Sequence, residues 1–416
     1  MSPTLAIVGA SVRAAVMSAL RGGLSSVAAD LFADGDLRAL CLATRVDRYP
    51  SGLTEWLSSA PADAWIYTGA LENYPTLVDA MARSRPLLGN SGAVLRRVRS
   101  PFELVRVLDA AGLPFPETRA DPTRLPRDGS WLAKNWYGSS GSGVRAFDGP
   151  GCLVAAIPTR GRGSPHTDAR RPVQSRLGGD RSPLRPAATA RGGSCYFQKR
   201  IDGVPGAAVF VAAHRTAQLL GITRQLVGTS WTGAGAFQYA GSLGPWPLDR
   251  PAVGQLQRLG NVLAGEFGVR GLFGVDFVLS DGQVWMVEIN PRYAASVEVV
   301  ERVTGVHAMG LHVEACEGQV SAALRPPLAG AVLADVWGKA ILFAERDVQV
   351  SAAFNAWCCE ENCDPLWPFV ADIPLAGQSI PQGRPIATAF AQGESESDAI
   401  ARLKQRLAAL ETRLYV

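Results

Sequence analysis

The stretch GVDFVLSDGQVWMVEINPR, Gly274 to Arg292, decides how this chain is to be read. Two apolar runs flank Asp281-Gly282, a strong hairpin signal. Asp276 sits inside the first run, and Glu288 and Asn290 inside the second. Side chains alternate across a strand, so Glu288 and Asn290 share one face. Whether Asp276 joins them depends on the loop. A two-residue loop, Asp281-Gly282, sets Asp276 opposite Val287 and on the wrong face. A three-residue loop, Ser280-Asp281-Gly282, sets it opposite Met286, on the face of Glu288, with glycine in the left-handed third place. The three-residue loop is the expectation. It gathers two carboxylates and an amide oxygen. Like charges that close repel unless a cation bridges them. Oxygen ligands without His or Cys suit Mg²⁺ or Mn²⁺ shared with phosphates. The alternative is an ion-paired edge with Arg292 as partner.

Upstream, the hairpin is preceded by VGQLQRLGNVLAGEFGV (253–269), an amphipathic helix, and by Val- and Ala-rich strands after residue 194. Earlier still, AKNWYGSSGSGV places Lys134 on a strand before a loop of small residues. Gly138, Ser139, Ser140, Gly141, Ser142 and Gly143 leave backbone N–H groups free to wrap phosphate oxygens, and Lys134 adds a mobile charge. Lysine precedes the glycines and GK[ST] is absent, so this is not a P-loop. A flexible hairpin loop is the plainer reading.

Residues 1–95 alternate strand and helix signals (TLAIVGAS, LRALCLAT, DAWIYTGA, RPLLGN as strands), which argues for an α/β unit with a parallel sheet. Its first turn, GASVRAA, is not GxGxxG, so dinucleotide binding is poorly supported. SPFELVRVLDAAGLPFPET (100–118) reads as a helix opened by Pro101 and stopped by Gly112, with a domain boundary near it. The last ~80 residues mix short strands with turns and end in a charged helix, SESDAIARLKQRLAALETRLY.

The totals exclude several classes. The chain has 416 residues, 47% hydrophobic and 19% charged, without a run of the ~20 apolar residues that a membrane span needs. The N-terminus lacks a signal-peptide pattern, so a cytoplasmic protein is expected. Seven unevenly spaced cysteines do not form a disulfide framework, and CCEENC has no nearby histidine to suggest zinc. Net charge is +4, but residues 158–193 hold eight arginines and two aspartates, +6, leaving −2 elsewhere. Segment 157–193 reads as a mobile, solvated insertion, and no nucleic-acid partner is expected. Only Lys134, Lys199, Lys339 and Lys404 are lysines, against 37 arginines. A chain that writes its cations as Arg keeps Lys where a compact ammonium is useful.

In their order (AKNWYGSSGSGV, YFQKRIDG, GVDFVLSDGQVWMVEINPR), these pieces resemble the ATP-grasp superfamily over roughly residues 1–320. GKAILFA and ADIPLAGQSIPQGRPIATAFAQG resemble the C-terminal region of its biotin-carboxylase-like branch, and within it the ATP-dependent carboligases. The resemblance implies an α/β (α+β) ATP-grasp fold. It divides as a Rossmann-like pre-ATP-grasp domain (1–98), an ATP-grasp domain (99–320, lid about 120–198) and a small C-terminal α+β region (321–416). It implies ATP with Mg²⁺ or Mn²⁺ held by Asp276, Glu288 and Asn290. Arg292 faces the transferred phosphoryl group, and Lys134 the α/β-phosphates under a 138–143 lid. Lys199 and Ile201 offer backbone groups to adenine, with Gln198 beside them where many members have an acid. The family lysine before the 100–118 helix is missing here; Arg97 and Arg99 are the candidates.

The implied chemistry is ligation of a small-molecule carboxylate to an amine through an acyl phosphate, with a one-carbon-cofactor pathway as one setting. The alternatives are a bicarbonate-using carboxylase and a non-catalytic ATP-binding protein. Partners are small molecules, with no membrane, and a homodimer is allowed. Acceptor-specific residues are expected near Tyr293, Ser296, Glu298 and SWTGAGAFQYAGS (230–242), with ordinary packing as the alternative for Trp231 and Tyr239.

Overall fold

The computed structural model describes residues 4–138, 141–149, 195–319 and 335–415. The N-terminal part is a four-stranded parallel sheet of β1 (Leu5–Val8), β2 (Ser26–Asp30), β3 (Leu42–Arg45) and β4 (Ala64–Tyr67), in the order β3-β2-β1-β4. Helices α1 (Arg13–Arg21), α2 (Gly35–Leu40), α3 (Gly52–Ser59) and α4 (Pro75–Met81) alternate with and follow the strands. β1 and β4 are buried throughout, as strands of a sheet covered on both faces must be. RPLLGN does not form the expected strand; it adds one parallel bridge, Leu87 to Trp65.

Helices α5 (Gly92–Val98) and α6 (Pro101–Ala110) follow. Ser100 caps α6 by accepting from the Glu103 N–H, and Pro101 fills the first turn, where its missing N–H is harmless. A small antiparallel sheet comes next: β5 (Thr118–Arg119), β6 (Trp131–Asn135), β7 (Val144–Ala146) and β8 (Cys195–Lys199), in the order β5-β8-β6-β7. It has its own apolar cluster of Trp131, Ala133, Phe147, Cys195 and Phe197.

The largest element is an eight-stranded antiparallel sheet. It is built from β9 (Val204–Ala213), β10 (Thr216–Val227), β11 (Tyr239–Gly244), β12 (Gly271–Ser280), β13 (Gln283–Asn290), β14 (Val336–Phe343), β16 (Val370–Ala371) and β18 (Pro385–Gly393). β15 (Val348–Gln349) and β17 (Ser379–Ile380) form a separate ribbon. The order β13-β12-β9-β10-β11-β14-β18-β16 means that the C-terminal stretch extends the same sheet rather than building another. Helix α7 (Arg250–Phe267) covers one face. Its Leu256, Leu259, Leu263 and Phe267 recur at helical spacing and pack with Phe210, Phe273, Val275, Phe277 and Met286. On the other face, α8 (Val297–Thr304) and α9 (Ala308–Cys316) join β1, β2 and β4 to Val209, Val211 and Leu272 in one continuous core. α10 (Ala352–Glu360) and α11 (Glu396–Leu414) cover the C-terminal strands. The α/β architecture expected from the sequence is therefore present.

The hairpin corrects the expected register. Ser280 opposes Gln283, so the loop is the two-residue Asp281-Gly282 and not Ser280-Asp281-Gly282. Both loop residues have positive φ, 50° and 76°, the type I′ pattern for which Asp-Gly is suited. Asp276 nevertheless opposes Glu288, because the register shifts between Asp276 and Phe277. Phe277 pairs with Met286, leaving Val287 as one extra residue, a β-bulge. The bulge returns Met286 to the core and turns Glu288 to the opposite face. Segment 157–193, read as a mobile insertion, lies outside the described residues.

Candidate active site

The bulged hairpin gathers the anions on one face. Asn290 Nδ2 donates to Asp276 Oδ2 at 3.0 Å, and Gln225 Nε2, from β10, donates to Asp276 Oδ1 at 2.8 Å. Burial, and then the charge of Glu288 directly opposite, raise the Asp276 carboxyl to about 6.

Arginines surround it. Arg99 Nη1 donates to Glu288 Oε1 at 2.6 Å, while its Nη2 donates to Asn73 Oδ1 at 2.8 Å and to the Gly138 carbonyl at 3.0 Å. One side chain thus ties the hairpin, the N-terminal unit and the start of the glycine loop. Arg97 turns away, to Glu103 and the Glu266 carbonyl. Of the two candidates, Arg99 is the one at the site. Arg292 donates to Glu72 Oε1 at 2.8 Å and to Asn290 Oδ1 at 3.1 Å, bridging from the hairpin to the N-terminal unit.

Lys134, on β6, is buried and donates to Gln198 Oε1 at 3.0 Å and to the Val287 carbonyl at 3.3 Å. The bulge therefore does two jobs: it sets Glu288 opposite Asp276 and offers a carbonyl to the lysine. Gly141 and Gly143 take left-handed backbone, φ 77° and 83°. A Cβ on Gly141 would lie 1.8 Å from the Phe237 carbonyl oxygen, so the loop rests directly on segment 236–238, the turn that leads into β11 of the large sheet. Ser139 and Ser140 lie outside the described residues.

Asp276, Glu288, Asn290, Arg292, Lys134 and Gly141 line a cavity of about 600 Å³ that also includes Lys199, Ile201, Ser296, Tyr239 and Phe237. That is an ordinary size for a small-molecule site. Among the described residues no cluster of three or more His, Cys, Asp or Glu side chains could hold a metal, so a cation here would need phosphate oxygens to complete its shell. Trp231 packs with the C-terminal cluster instead. The described cysteines are free.

At the far end of the cavity Glu298, one of the residues expected near the acceptor, has partners that the sequence did not point to. Arg13 of α1 donates to Glu298 and to both oxygens of Asp372, at 3.0 and 2.9 Å. Lys339 of β14 donates to Glu298 and to the Ala295 carbonyl. Despite burial, Arg13 and Lys339 hold Glu298 well below the usual carboxylate range, and Arg13 lowers the Asp372 carboxyl. The side chains of Arg13 and Lys339 are only 2% and 5% exposed, whereas Asp372 is 26% exposed and lines the cavity. Lys339 stood out in the sequence as one of four lysines; Arg13 and Asp372 carried no local signal.

Behind this cluster, Asp34 is buried. Burial, followed by the charges of Asp372, Asp36 and Asp30, lifts its carboxyl to about 9. Its folded value lies above the unfolded one, so the penalty is absent below the ordinary carboxylate range and grows as pH rises toward 9. Asp34→Asn is expected to stabilise the protein by about 2–4 kcal/mol at pH 7 and by little at pH 4, read from denaturant melts at both values.

Comparison with known proteins bears on the domain and the fold. Residues 181–296 match the family model of the ATP-grasp domain. Over 78 residues the chain is 32% identical to the carbamoyl phosphate synthase large chain of Vibrio cholerae, which is 19% of this chain and 7% of that protein. The match thus spans a small fraction of that relative's length. The structure of a biotin carboxylase–β-γ-ATP complex from Campylobacter jejuni superposes with a TM-score of 0.67 at 15% identity, covering 98% of this chain and 95% of that one. An L-amino acid ligase from Bacillus licheniformis gives 0.64 at 14% identity, covering 98% and 97%. The fold is thus that of the biotin-carboxylase-like α/β proteins. Residues 181–296 are thus similar to an ATP-grasp domain.

Proposed function

We propose that this protein is an ATP- and Mg²⁺-dependent ligase that activates a carboxylate as an acyl phosphate and joins it to an amine. The observation that carries the reading is Asp276 facing Glu288 under a lysine-bearing, glycine-looped lid, in a cavity whose other end presents an ionised carboxylate. The chain would divide into 1–98, 99–320 with its lid at about 120–198, and 321–416; the separate small sheet of β5–β8 supports the lid.

Asp276, Glu288 and Asn290 would hold Mg²⁺, which when bound neutralises phosphate charge during phosphoryl transfer. Binding it requires Arg99 to yield Glu288 and the Asn290 carboxamide to turn its oxygen from Arg292. Lys134 and the 138–143 backbone hold the nucleotide phosphates. The substrate carboxylate oxygen attacks the γ-phosphorus, the β,γ-bridging P–O bond breaks and ADP leaves. Arg292 steadies the charge on the transferred group. The ammonium gives one proton to solvent, the free amine nitrogen attacks the acyl carbon, the C–O bond to phosphate breaks, and the departing phosphate takes the nitrogen's second proton. Until then Asp372 holds the acceptor as its ammonium, because at this end of the cavity its side chain is 26% exposed, against 2% and 5% for those of Arg13 and Lys339. The closed lid keeps water from the intermediate.

The test is ADP release with Mg²⁺ and ATP across a panel of carboxylates, amines, amino acids, one-carbon-cofactor precursors and bicarbonate. At least a tenfold stimulation by a carboxylate–amine pair is expected; stimulation by bicarbonate alone makes the protein a carboxylase, and none at all removes the enzymatic reading. With the responding pair, Asp372→Asn is expected to raise the amine KM about tenfold or more and leave the ATP KM within twofold, the loss of one charge-assisted contact.

A further inference from the structure

Glu72 is a buried carboxylate of the N-terminal unit, 2% exposed. It sits on a single turn, Leu71–Asn73, that follows β4. Ala70, in left-handed backbone at φ 76°, turns the chain into it, and Leu71 anchors it in the core with Tyr67 and Val78. Glu72 Oε1 accepts from Arg292 twice, from Nε at 3.1 Å and from Nη2 at 2.8 Å. Its Oε2 is buried and has no partner among the described residues. A pair kept for stability alone would use both oxygens in a two-pronged fork. Here a single oxygen grips one edge of the guanidinium, and a buried ion pair is in any case a weak source of stability.

The edge it grips decides what Arg292 presents. A guanidinium has five N–H donors in one plane. Nε and one N–H of Nη2 go to Glu72. Nη1 gives one to the Tyr293 carbonyl at 3.0 Å, and Nη2 its other to Asn290 Oδ1 at 3.1 Å. One N–H of Nη1 is left. When Asn290 turns its oxygen to a metal, the second N–H of Nη2 is released as well. Two donors on neighbouring nitrogens then stand ready for the oxygens of a phosphoryl group. On its other side the guanidinium rests against Gly69, where a Cβ would stand 3.5 Å from Arg292 Cζ. Burial works against the Arg292 charge, and the pull of Glu72, then of Glu288 and Asp276, outweighs it. With Glu72 neutral, the strongest remaining pull would come from the two hairpin carboxylates. We propose that Glu72 is a positioning residue for phosphoryl transfer: it holds Arg292 by the Nε–Nη2 edge, off Asp276 and Glu288, so that Nη1 and Nη2 meet the γ-phosphoryl group. Arg292 and Gly69 line the cavity and Glu72 stands behind them, so it acts through the arginine. The inference rests on the ATP-dependent reading above.

The test compares Mg·ADP with the Mg²⁺ complex of a β,γ-imido ATP analogue, by calorimetry, in wild type, Glu72→Gln, Arg292→Gln and the double variant. The ratio of the two affinities reads contacts to the γ-phosphoryl group. Wild type is expected to prefer the analogue by about tenfold or more. Glu72→Gln is expected to lose most of that preference while binding ADP within about twofold of wild type. In Arg292→Gln the preference is already lost, and adding Glu72→Gln is expected to move the ratio by less than about twofold, as residues acting as one unit do. A role in packing alone would weaken ADP as well, or add to the loss from Arg292. Glu72→Gln that keeps the wild-type ratio, or lowers it equally with and without Arg292, overturns the assignment. Glu72→Asp keeps the countercharge and withdraws it by one methylene, which keeps the test open should the amide variant not fold. Its ratio is expected to fall about threefold or more, and an unchanged ratio overturns the proposal. Wild type that binds both nucleotides without preference overturns the Glu72–Arg292 role and leaves nucleotide binding standing. Wild type that binds neither overturns the ATP reading as well.

Discussion

Glu288→Gln is expected to lower ATP turnover about a thousandfold, on the order of 4 kcal/mol of lost transition-state stabilisation. The substitution keeps the shape and removes the charge. Folding should be little affected: Glu288 is 32% exposed and its pair with Arg99 is partly solvated, a contact worth about 1 kcal/mol or less. Asp276→Asn should be equally inactive but more stable than wild type. Burial and Glu288 raise the Asp276 carboxyl to about 6, above its unfolded value. The ionised form therefore costs stability above the ordinary carboxylate range, and the cost levels off above pH 6. Removing it should add about 1–3 kcal/mol at pH 7.5. Turnover assays and melts on the two variants check the pair of outcomes. An ion-paired edge with no function would give the stability change without the loss of turnover.

Gly141→Ala is expected to uncouple ATP consumption from product formation. The residue has φ 77°, which penalises any side chain, and a Cβ there would stand 1.8 Å from the Phe237 oxygen. The loop must retreat from segment 236–238, opening a path for water to the acyl phosphate. Product per ATP consumed should fall about a hundredfold, a scale that a misplacement of ~1 Å reaches. The lid sheet carries its own apolar cluster, so the melting temperature should stay within a few degrees. An unchanged product-to-ADP ratio would mean that this contact does not guard the intermediate.

The elements of the site were legible where their signals were local. Lys134 before its glycines, the apolar runs around Asp281-Gly282 and the stripe on α7 each lie within about twenty residues. The loop length was misread because strict alternation seemed to demand an odd loop to bring Asp276 onto the face of Glu288. The Asp-Gly turn chemistry was right, and a bulge at Val287 supplied the missing residue instead. The spacing of Val284, Met286 and Ile289, two and then three, is the trace it leaves in the sequence. At the acceptor end Glu298 was expected, but Arg13 and Asp372 were not, because their contacts are not local. Arg13 meets Glu298 across 285 positions and Asp372 across 359. Nothing near a buried arginine in the first helix announces partners in the last third of the chain. Arg99 was separable from Arg97 only once α5 and α6 had been placed against the hairpin.

The central claim is that the carboxylates of the bulged hairpin hold a metal–nucleotide complex. Its most direct test is a calorimetric titration of a non-hydrolysable ATP analogue, with and without Mg²⁺, into wild type and the Asp276→Asn/Glu288→Gln double variant. The account predicts that wild type binds at least a hundredfold more tightly with Mg²⁺ than without it, and that the double variant, still folded, gains nothing from the metal. Wild-type binding indifferent to Mg²⁺, or a metal dependence that survives loss of both carboxylates, would contradict it.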